Sequence, residues 1–224
     1  MIEEFATRFP SEEKLVSAFV EFVLRTNDGS FQILREFEGG FGRPDVLLYS
    51  NPSDNAAHDI QSLSELNPRL APLLSTKVSK TVRSLSALAA ASGASRPSTR
   101  RIANELARID RLKMTDATGN TFKISPIRRP PFSQVVAIEA KLRDWRRALV
   151  QAYRYLQFST EAWVVLDYAA AASAIKEEGL FRSCGVGLAS FSASGELHIH
   201  VFAKNEHWQD SALAWRTQAI LARS

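Results

Sequence analysis

Apolar and polar positions along this chain follow two different periods, and together they predict a mixed α/β fold. Leu15, Phe19, Phe22 and Val23 recur at helical spacing behind Ser11, a suitable N-cap. Elsewhere the residues alternate or form short apolar runs, of which 135–138 is typical of a buried strand. The pattern predicts helices over 11–26, 66–74, 82–91, 97–109, 144–158, 169–178 and 206–222, and strands over 31–38, 46–49, 112–114, 121–124, 135–141 and 163–166, with a hairpin over 185–203.

The order of these elements predicts two domains, one interrupted by the other. Strands and helices mix on either side of a segment that contains only short helices and one small hairpin. Proline-rich sequence at 126–131 closes this segment and is typical of a linker. We therefore expect an α/β domain made of 1–57 and 129–224, with a small inserted domain at 58–128.

Composition and charge indicate which cellular environment and which binding partners to expect. No apolar run approaches the roughly 20 residues that cross a bilayer, and the N-terminus lacks a signal-peptide core, so no membrane is expected. Cys184 is the only cysteine, which favours a reducing cytoplasm. From Lys77 to Lys113 there are nine basic and two acidic side chains, a net charge of +7 within a chain whose total is +4. This segment is suited to contact a polyanion, although a solvated helical face would look similar.

Charged residues at the end of the predicted strand 135–141 are the main candidates for chemistry. Alternation places Glu139 and Lys141 on one face of that strand, where the simplest interpretation is a salt bridge. Asp45 stands at the start of another predicted strand. Two converging carboxylates are suitable ligands for Mg²⁺, with Mn²⁺ as an alternative, and a nearby lysine could orient water or offset charge on a phosphate.

These residues resemble the signature of a known nuclease superfamily. Pro44-Asp45 followed by Glu139-Ala140-Lys141 is similar to the P-D…(D/E)-x-K pattern of the restriction-endonuclease-like, or PD-(D/E)XK, nucleases. The resemblance covers 11–49 and 132–167, and it implies a core of order α-β-β-β-α-β, a mixed sheet flanked by helices. It also implies that Asp45 and Glu139 hold the metal while Lys141 acts on the attacking water.

A second motif resembles the RecB-like branch of that superfamily. Gln151 and Tyr155 match its Q-x-x-x-Y pattern and lie four residues apart, on one face of a predicted helix. The resemblance implies that Gln151 supports the lysine and the substrate and that Tyr155 contacts DNA. It also implies a metal-binding glutamate from the first helix, for which Glu13 is the first choice and Glu12 and Glu21 are alternatives. We expect Arg147 and Arg154 to meet phosphates beside this helix, although a solvated face explains them equally well.

The inserted segment has the rhythm of a helix-turn-helix. Gly93 makes the turn between two predicted helices, and the hairpin over 112–124 resembles the wing of a winged helix. Polar side chains gather at the start of the second helix, where recognition helices contact base edges and phosphates. The predicted DNA-binding residues there are Arg96, Ser98, Thr99, Arg100, Arg101 and Asn104. A structural helical pair or a protein-docking module is the alternative.

The resulting prediction is a Mg²⁺-dependent DNA endonuclease, a metal-dependent phosphodiesterase directed to duplex DNA by the inserted winged helix. The resemblance adds homodimer formation as an expectation. A non-catalytic DNA-binding regulator and an RNA-directed nuclease remain the alternatives. The histidines His58, His198, His200 and His207 form no zinc-binding pattern, and Cys184 is interpreted as a core residue.

Overall fold

The structure is a computed structural model, and it describes residues 8–38, 42–118, 120–205 and 208–224. The chain divides into two compact units. The first is Met1–Asn51 with Gln134–Gln209, and the second is Pro52–Ser133 with Asp210–Ser224. No helix in the described ranges is long and apolar enough to cross a membrane.

The first unit is a six-stranded mixed sheet with helices on its faces. Its helices are α1 (Glu12–Thr26), α6 (Trp145–Tyr155), α7 (Ala172–Ile175) and α8 (Glu178–Cys184), and its strands are β1 (Phe31–Arg35), β2 (Val46–Ser50), β5 (Val135–Lys141), β6 (Glu161–Asp167), β7 (Gly187–Phe191) and β8 (Leu197–Val201). The strands lie in the order β1-β2-β5-β6-β7-β8. The pairs β5–β6 and β6–β7 are parallel, whereas the other neighbouring pairs are antiparallel. The predicted α/β class with a mixed, helix-flanked sheet is therefore confirmed.

Helix α1 covers one face of this sheet. Ser11 caps it as predicted, because the Ser11 side chain accepts a hydrogen bond from the backbone N–H of Lys14. Leu15, Val16 and Phe19 are buried against residues of β2, β5, β6 and β7 in one apolar cluster. Burial of these three side chains fixes the position of the first turn of α1 relative to the strands.

The second unit is built from short helices and a two-stranded hairpin. Its helices are α2 (Ala57–Glu65), α3 (Thr76–Ser79), α4 (Leu85–Ser92), α5 (Arg96–Arg108) and α9 (Ala212–Leu221), and its strands are β3 (Leu112–Met114) and β4 (Phe122–Ile124). Gly93, with a φ of 65°, ends α4 in the left-handed conformation and forms the predicted turn before α5. Short 3₁₀ segments occur at Asp54–Ala56 and Pro68–Leu74 here, and at Tyr168–Ala170 in the first unit.

The terminal helix belongs with the second unit, whereas the sequence placed it in the first domain. The buried Gln218 side chain accepts from the backbone N–H of Phe132 at 3.0 Å and donates to the Phe132 carbonyl at 2.9 Å. Arg223 donates to the carbonyl groups of Ser64 and Leu66 at 2.9 and 2.7 Å. These bonds join α9 and the residues after it to Phe132 and to the end of α2.

Other differences occur where local propensity was a poor guide. The helix expected over 66–74 is a 3₁₀ segment after α2, because Pro72 lies inside it and cannot supply the N–H group that an α-helix needs there. Strand β1 ends at Arg35, since Glu36 has a positive φ of 53°. The expected helix over 169–178 is divided among a 3₁₀ turn, α7 and the start of α8.

Candidate functional site

The end of β5 places Glu139 and Lys141 together, as strand alternation predicted. Glu139 is only 1% exposed, which is unusual for a carboxylate. Its Oε1 atom lies 3.0 Å from the Lys141 Nζ atom, so the expected salt bridge is present. A carboxylate that is buried at this depth needs such partners to offset its lost hydration.

Asp45 reaches the same lysine from the neighbouring strand. Antiparallel pairing sets Val46 opposite Ile138, which brings the residue before β2 beside the end of β5. The Asp45 Oδ2 atom accepts from the backbone N–H of Ala140 at 2.8 Å and lies 3.9 Å from Lys141 Nζ. The register of the sheet therefore brings together residues that are far apart in sequence.

The first helix contributes Glu12, whereas the sequence favoured Glu13. The Glu12 Oε2 atom lies 3.1 Å from Lys141 Nζ. Successive helical residues point about 100° apart, so the neighbouring Glu13 is directed elsewhere and is exposed. Glu21, the other alternative, is exposed about two and a half turns beyond Glu12 on α1.

Tyr155 supports the site from α6. Its hydroxyl donates to Glu139 Oε2 at 2.7 Å, and both residues are buried. Gln151 also borders the site, because its side chain contacts Tyr155 and partly offsets the upward shift of the Tyr155 pKa that burial causes. The Gln151 Oε1 atom is buried and has no hydrogen-bond partner among the residues that the structure describes. The predicted pair therefore faces the carboxylate cluster.

Gly42 is a member of this neighbourhood that the sequence did not single out. Its φ is 101°, and a Cβ atom built there would lie 2.7 Å from the Tyr155 ring. Only glycine avoids both the backbone strain and this contact. The preceding residues 39–41 lie outside the described residues.

Burial and charge raise the pKa of the two carboxyl groups, Asp45 and Glu139, at this site. Burial raises the pKa of Asp45 above its ordinary value. Burial also raises the pKa of Glu139, and the nearby Asp45 charge adds to that shift. Ionisation of both carboxyl groups is therefore disfavoured unless further positive charge is present.

The lysine and the tyrosine are held in their protonated forms. Burial lowers the pKa of Lys141, but the attraction of Glu139, Asp45 and Glu12 outweighs it, so the net shift is upward. Burial and the adjacent Glu139 carboxylate raise the pKa of Tyr155. Lys141 is consequently an ammonium cation at neutral pH.

Four of the described residues place oxygen atoms within 3.9 Å of the Lys141 ammonium. They come from the carboxylates of Glu12, Asp45 and Glu139 and from the Ala140 carbonyl, which accepts from Nζ at 3.2 Å. One ammonium cannot neutralise three carboxylates. Oxygen ligands with excess negative charge are of the kind that hard divalent cations require. Among the described residues no group of three or more His, Cys, Asp or Glu side chains is already arranged as a metal site.

The predicted nucleic-acid-binding residues of α5 divide into exposed and buried positions. Arg96, Arg100, Arg101 and Asn104 are exposed, and Ser98 is half-buried. Thr99 is only 2% exposed, and its hydroxyl donates to the Ser95 carbonyl at 2.9 Å. Unlike its predicted neighbours, Thr99 is therefore not exposed on the surface of α5. Thr99 precedes the buried Ile102 and Ala103 at helical spacing, a signal in the sequence that it belongs to the apolar face.

A cleft of about 590 Å³ runs between α5, the start of α4 and the hairpin. Arg96 and Arg100 line it together with Ser84, Asn120 and Thr121. The hairpin is attached to α4 at this point, because the Leu85 N–H donates to the Asn120 carbonyl at 3.2 Å. The exposed face of α5 is thus extended by polar groups of the hairpin.

The remaining candidates lie outside the carboxylate cluster. Arg147 and Arg154 are exposed on α6. His200 contacts Ser190, with its Nε2 atom 2.8 Å from the serine Oγ, so it is not a free ligand. His207 lies outside the described residues. Cys184 is half-buried rather than in the core.

Comparison with known proteins leaves the site to be interpreted on its own chemistry. No family model matches the chain, and no curated protein or solved structure is significantly similar to it.

Proposed function

We propose that this protein is a Mg²⁺-dependent DNA endonuclease of the PD-(D/E)XK type, with Mn²⁺ as an alternative ion. The observation that carries the proposal is the convergence of Glu12, Asp45 and Glu139 on Lys141. The order α1-β1-β2-β5-α6-β6 supports it, because it matches the α-β-β-β-α-β core of those nucleases once the second unit is set aside. The RecB-like resemblance implies that Tyr155 contacts DNA, whereas this tyrosine is buried and donates to Glu139. Only the position of the Gln151–Tyr155 pair beside the carboxylates supports that variant.

The donor set fits a divalent cation. Asp45 and Glu139 would hold the ion, with Glu12 and the Ala140 carbonyl as further oxygen ligands. When bound, Mg²⁺ supplies Lewis-acid activation of water and neutralises charge on the phosphate. Its binding favours the ionised carboxylates, so protons are released as it binds.

The protein's own residues supply positioning and charge. Because the pKa of Lys141 is raised, this lysine acts as a cation that stabilises negative charge on the phosphate, not as a general base. Tyr155 fixes the Glu139 carboxylate by hydrogen bonding to its second oxygen. Gln151 lies beside Tyr155 on the same face of α6 and supports this arrangement.

The catalytic proposal is tested by plasmid cleavage in Mg²⁺ with Lys141→Ala. We expect the loss of this cation to lower the rate by at least about 100-fold, comparable to the removal of one transition-state donor. Lys14→Ala, at an exposed lysine on α1, is the matched control and keeps full activity. Equal cleavage by Lys141→Ala and the parent protein would contradict the mechanism. Salt-dependent duplex binding with no cleavage by the parent in Mg²⁺ or Mn²⁺ would favour the non-catalytic regulator.

We further propose that α4, α5 and the hairpin form a winged helix that binds duplex DNA. Arg96 and Arg100 lie in a cleft whose described lining contains no carboxylate, which is suitable for phosphate. Each lost phosphate contact lowers the salt dependence of binding by about one unit of log–log slope. We expect this change for Arg100→Ala but not for Arg108→Ala, where the arginine pairs with Glu65 at 2.8 Å. Stronger binding to single-stranded RNA than to duplex DNA would favour the RNA-directed alternative.

A further inference from the structure

A second cleft, of about 470 Å³, lies on the opposite side of α6 from the carboxylate cluster. Tyr153 lines it, whereas Tyr155 points to Glu139, and residues two apart on a helix project about 200° apart. Gln157 borders the cleft from the end of α6, Arg182 and Cys184 from α8, and Lys204 from the segment after β8. All of these residues belong to the first unit.

The side chains of this cleft combine an aromatic surface with positive charge. Tyr153 is 56% exposed, so its ring is accessible for stacking. Arg182 and Lys204 give the cleft two cations, and its described lining includes no carboxylate. The Gln157 amide adds a hydrogen-bond donor and acceptor.

Arg182 remains able to bind an anion although it has a carboxylate neighbour. Its Nη2 atom lies 3.2 Å from Glu178 one turn earlier on α8, and both side chains are about half exposed. Exposed pairs of this kind are weak, and a guanidinium has five N–H donors. A phosphate can therefore share Arg182 with Glu178 or displace this glutamate from it.

We propose that this cleft binds a nucleoside phosphate. The base stacks on Tyr153, the Gln157 amide contacts the base edge, and Arg182 and Lys204 hold the phosphate. Stacking on an exposed aromatic ring next to cations is how proteins bind single-stranded nucleic acid without reading its sequence. The ligand is either a free nucleotide or one nucleotide of an unpaired strand, and only the second source rests on the proposed nuclease function.

Cys184 provides the test, because the only cysteine of the chain lines this cleft. The rate of its alkylation by iodoacetamide is measured on the full chain carrying Lys141→Ala, without divalent ions, so that no probe is cleaved. Thymidine 5′-monophosphate and a short oligothymidylate are the two probes. At about ten times the dissociation constant, a bound probe leaves about one tenth of the clefts open, so we expect alkylation to slow about tenfold.

The two probes identify the source of the ligand. Protection by the mononucleotide indicates a free nucleotide, whereas protection by the oligonucleotide alone indicates a strand. Tyr153→Ala should lower the affinity for either probe about tenfold, because stacking on the ring is lost. Arg182→Ala should make that affinity less dependent on salt concentration. Tyr168→Ala, at a tyrosine that is 45% exposed outside the cleft, is the matched control and should change nothing.

An unchanged alkylation rate with both probes would overturn the proposal, as would equal protection in Tyr153→Ala and the parent. Should the thiol be unreactive in the free protein, quenching of a 2-aminopurine base in the oligonucleotide reports stacking on Tyr153 instead. Unchanged fluorescence would then overturn the proposal. Because the measurement uses Lys141→Ala, its failure is separate from failure of the nuclease mechanism.

Discussion

The bond between Tyr155 and Glu139 offers a prediction whose size and pH dependence both follow from the structure. Tyr155→Phe removes only the hydroxyl and leaves the ring, which packs on Phe158 with 5.8 Å between centroids. The change deprives Glu139 Oε2 of its 2.7 Å hydrogen bond at a residue that is 1% exposed. Lys141 remains as the partner of the other carboxylate oxygen.

A hydrogen bond to a charged group contributes about 1.5–3 kcal/mol, so we expect Tyr155→Phe to lower the free energy of unfolding by about 2 kcal/mol at about pH 8. That loss is equivalent to about a 30-fold change in the unfolding equilibrium. The pKa of Glu139 is already raised in the folded protein, so the free energy of unfolding decreases as pH rises through that pKa. Without the Tyr155 hydroxyl the pKa of Glu139 rises further, and the free energy of unfolding decreases by a larger amount. The variant should therefore differ less from the parent at about pH 4, where Glu139 is largely protonated in both.

Urea unfolding at the two pH values measures this difference. Tyr49→Phe is the matched control, because the buried Tyr49 hydroxyl donates at 2.7 Å to Gln32, a neutral group that does not titrate. It should cost about 1 kcal/mol at both pH values. A Tyr155→Phe effect that is equally large at both pH values, or absent at both, would refute the reasoning about a buried ionised carboxylate.

Two further predictions concern backbone and charge. Gly42→Ala should lower the free energy of unfolding by about 3 kcal/mol, since it combines a positive φ with contact against the Tyr155 ring. Gly29→Ala, where φ is 89° and no described atom lies within 4 Å of the added Cβ, should cost only about 1 kcal/mol. Equal urea midpoints for the two variants would contradict this reasoning. Arg111→Ala should lower the free energy of unfolding by about 3 kcal/mol, because it breaks a largely buried ion pair with Asp59. Arg108→Ala, which breaks an exposed pair with Glu65, should lower it by at most about 1 kcal/mol. Similar losses in the two variants would show that burial is not the cause.

Much of the first unit could be predicted from sequence because its signals are strong and local. The N-cap and apolar stripe of α1, the continuous apolar run of β5 and the turn at Gly195 between β7 and β8 each specify one structure. Segments rich in proline or alanine gave weaker signals. In 169–178, alanine favours helix but supplies no apolar stripe to fix one continuous helix against the sheet.

The candidate site could be predicted in its residue types but not in all its members. Strand alternation and the matched motifs are sufficient to select Asp45, Glu139 and Lys141. The choice between Glu12 and Glu13 depends on how α1 is rotated about its axis, which is set by packing against the sheet. Gly42 becomes meaningful only when Tyr155 is placed against it. The position of α9 likewise depends on long-range bonds such as that between Gln218 and Phe132.

Binding of a divalent ion tests the central claim most directly, because it does not require the DNA target to be known. Isothermal titration calorimetry with Mn²⁺ at about pH 8, where the carboxyl groups ionise most readily, should show one saturable site per chain. Glu139→Gln keeps the side-chain shape and removes the charge, so it should weaken binding by at least about tenfold. The absence of saturable binding to the parent protein, or equal affinity in the variant, would contradict the assignment of Glu12, Asp45 and Glu139 as a metal-dependent catalytic centre.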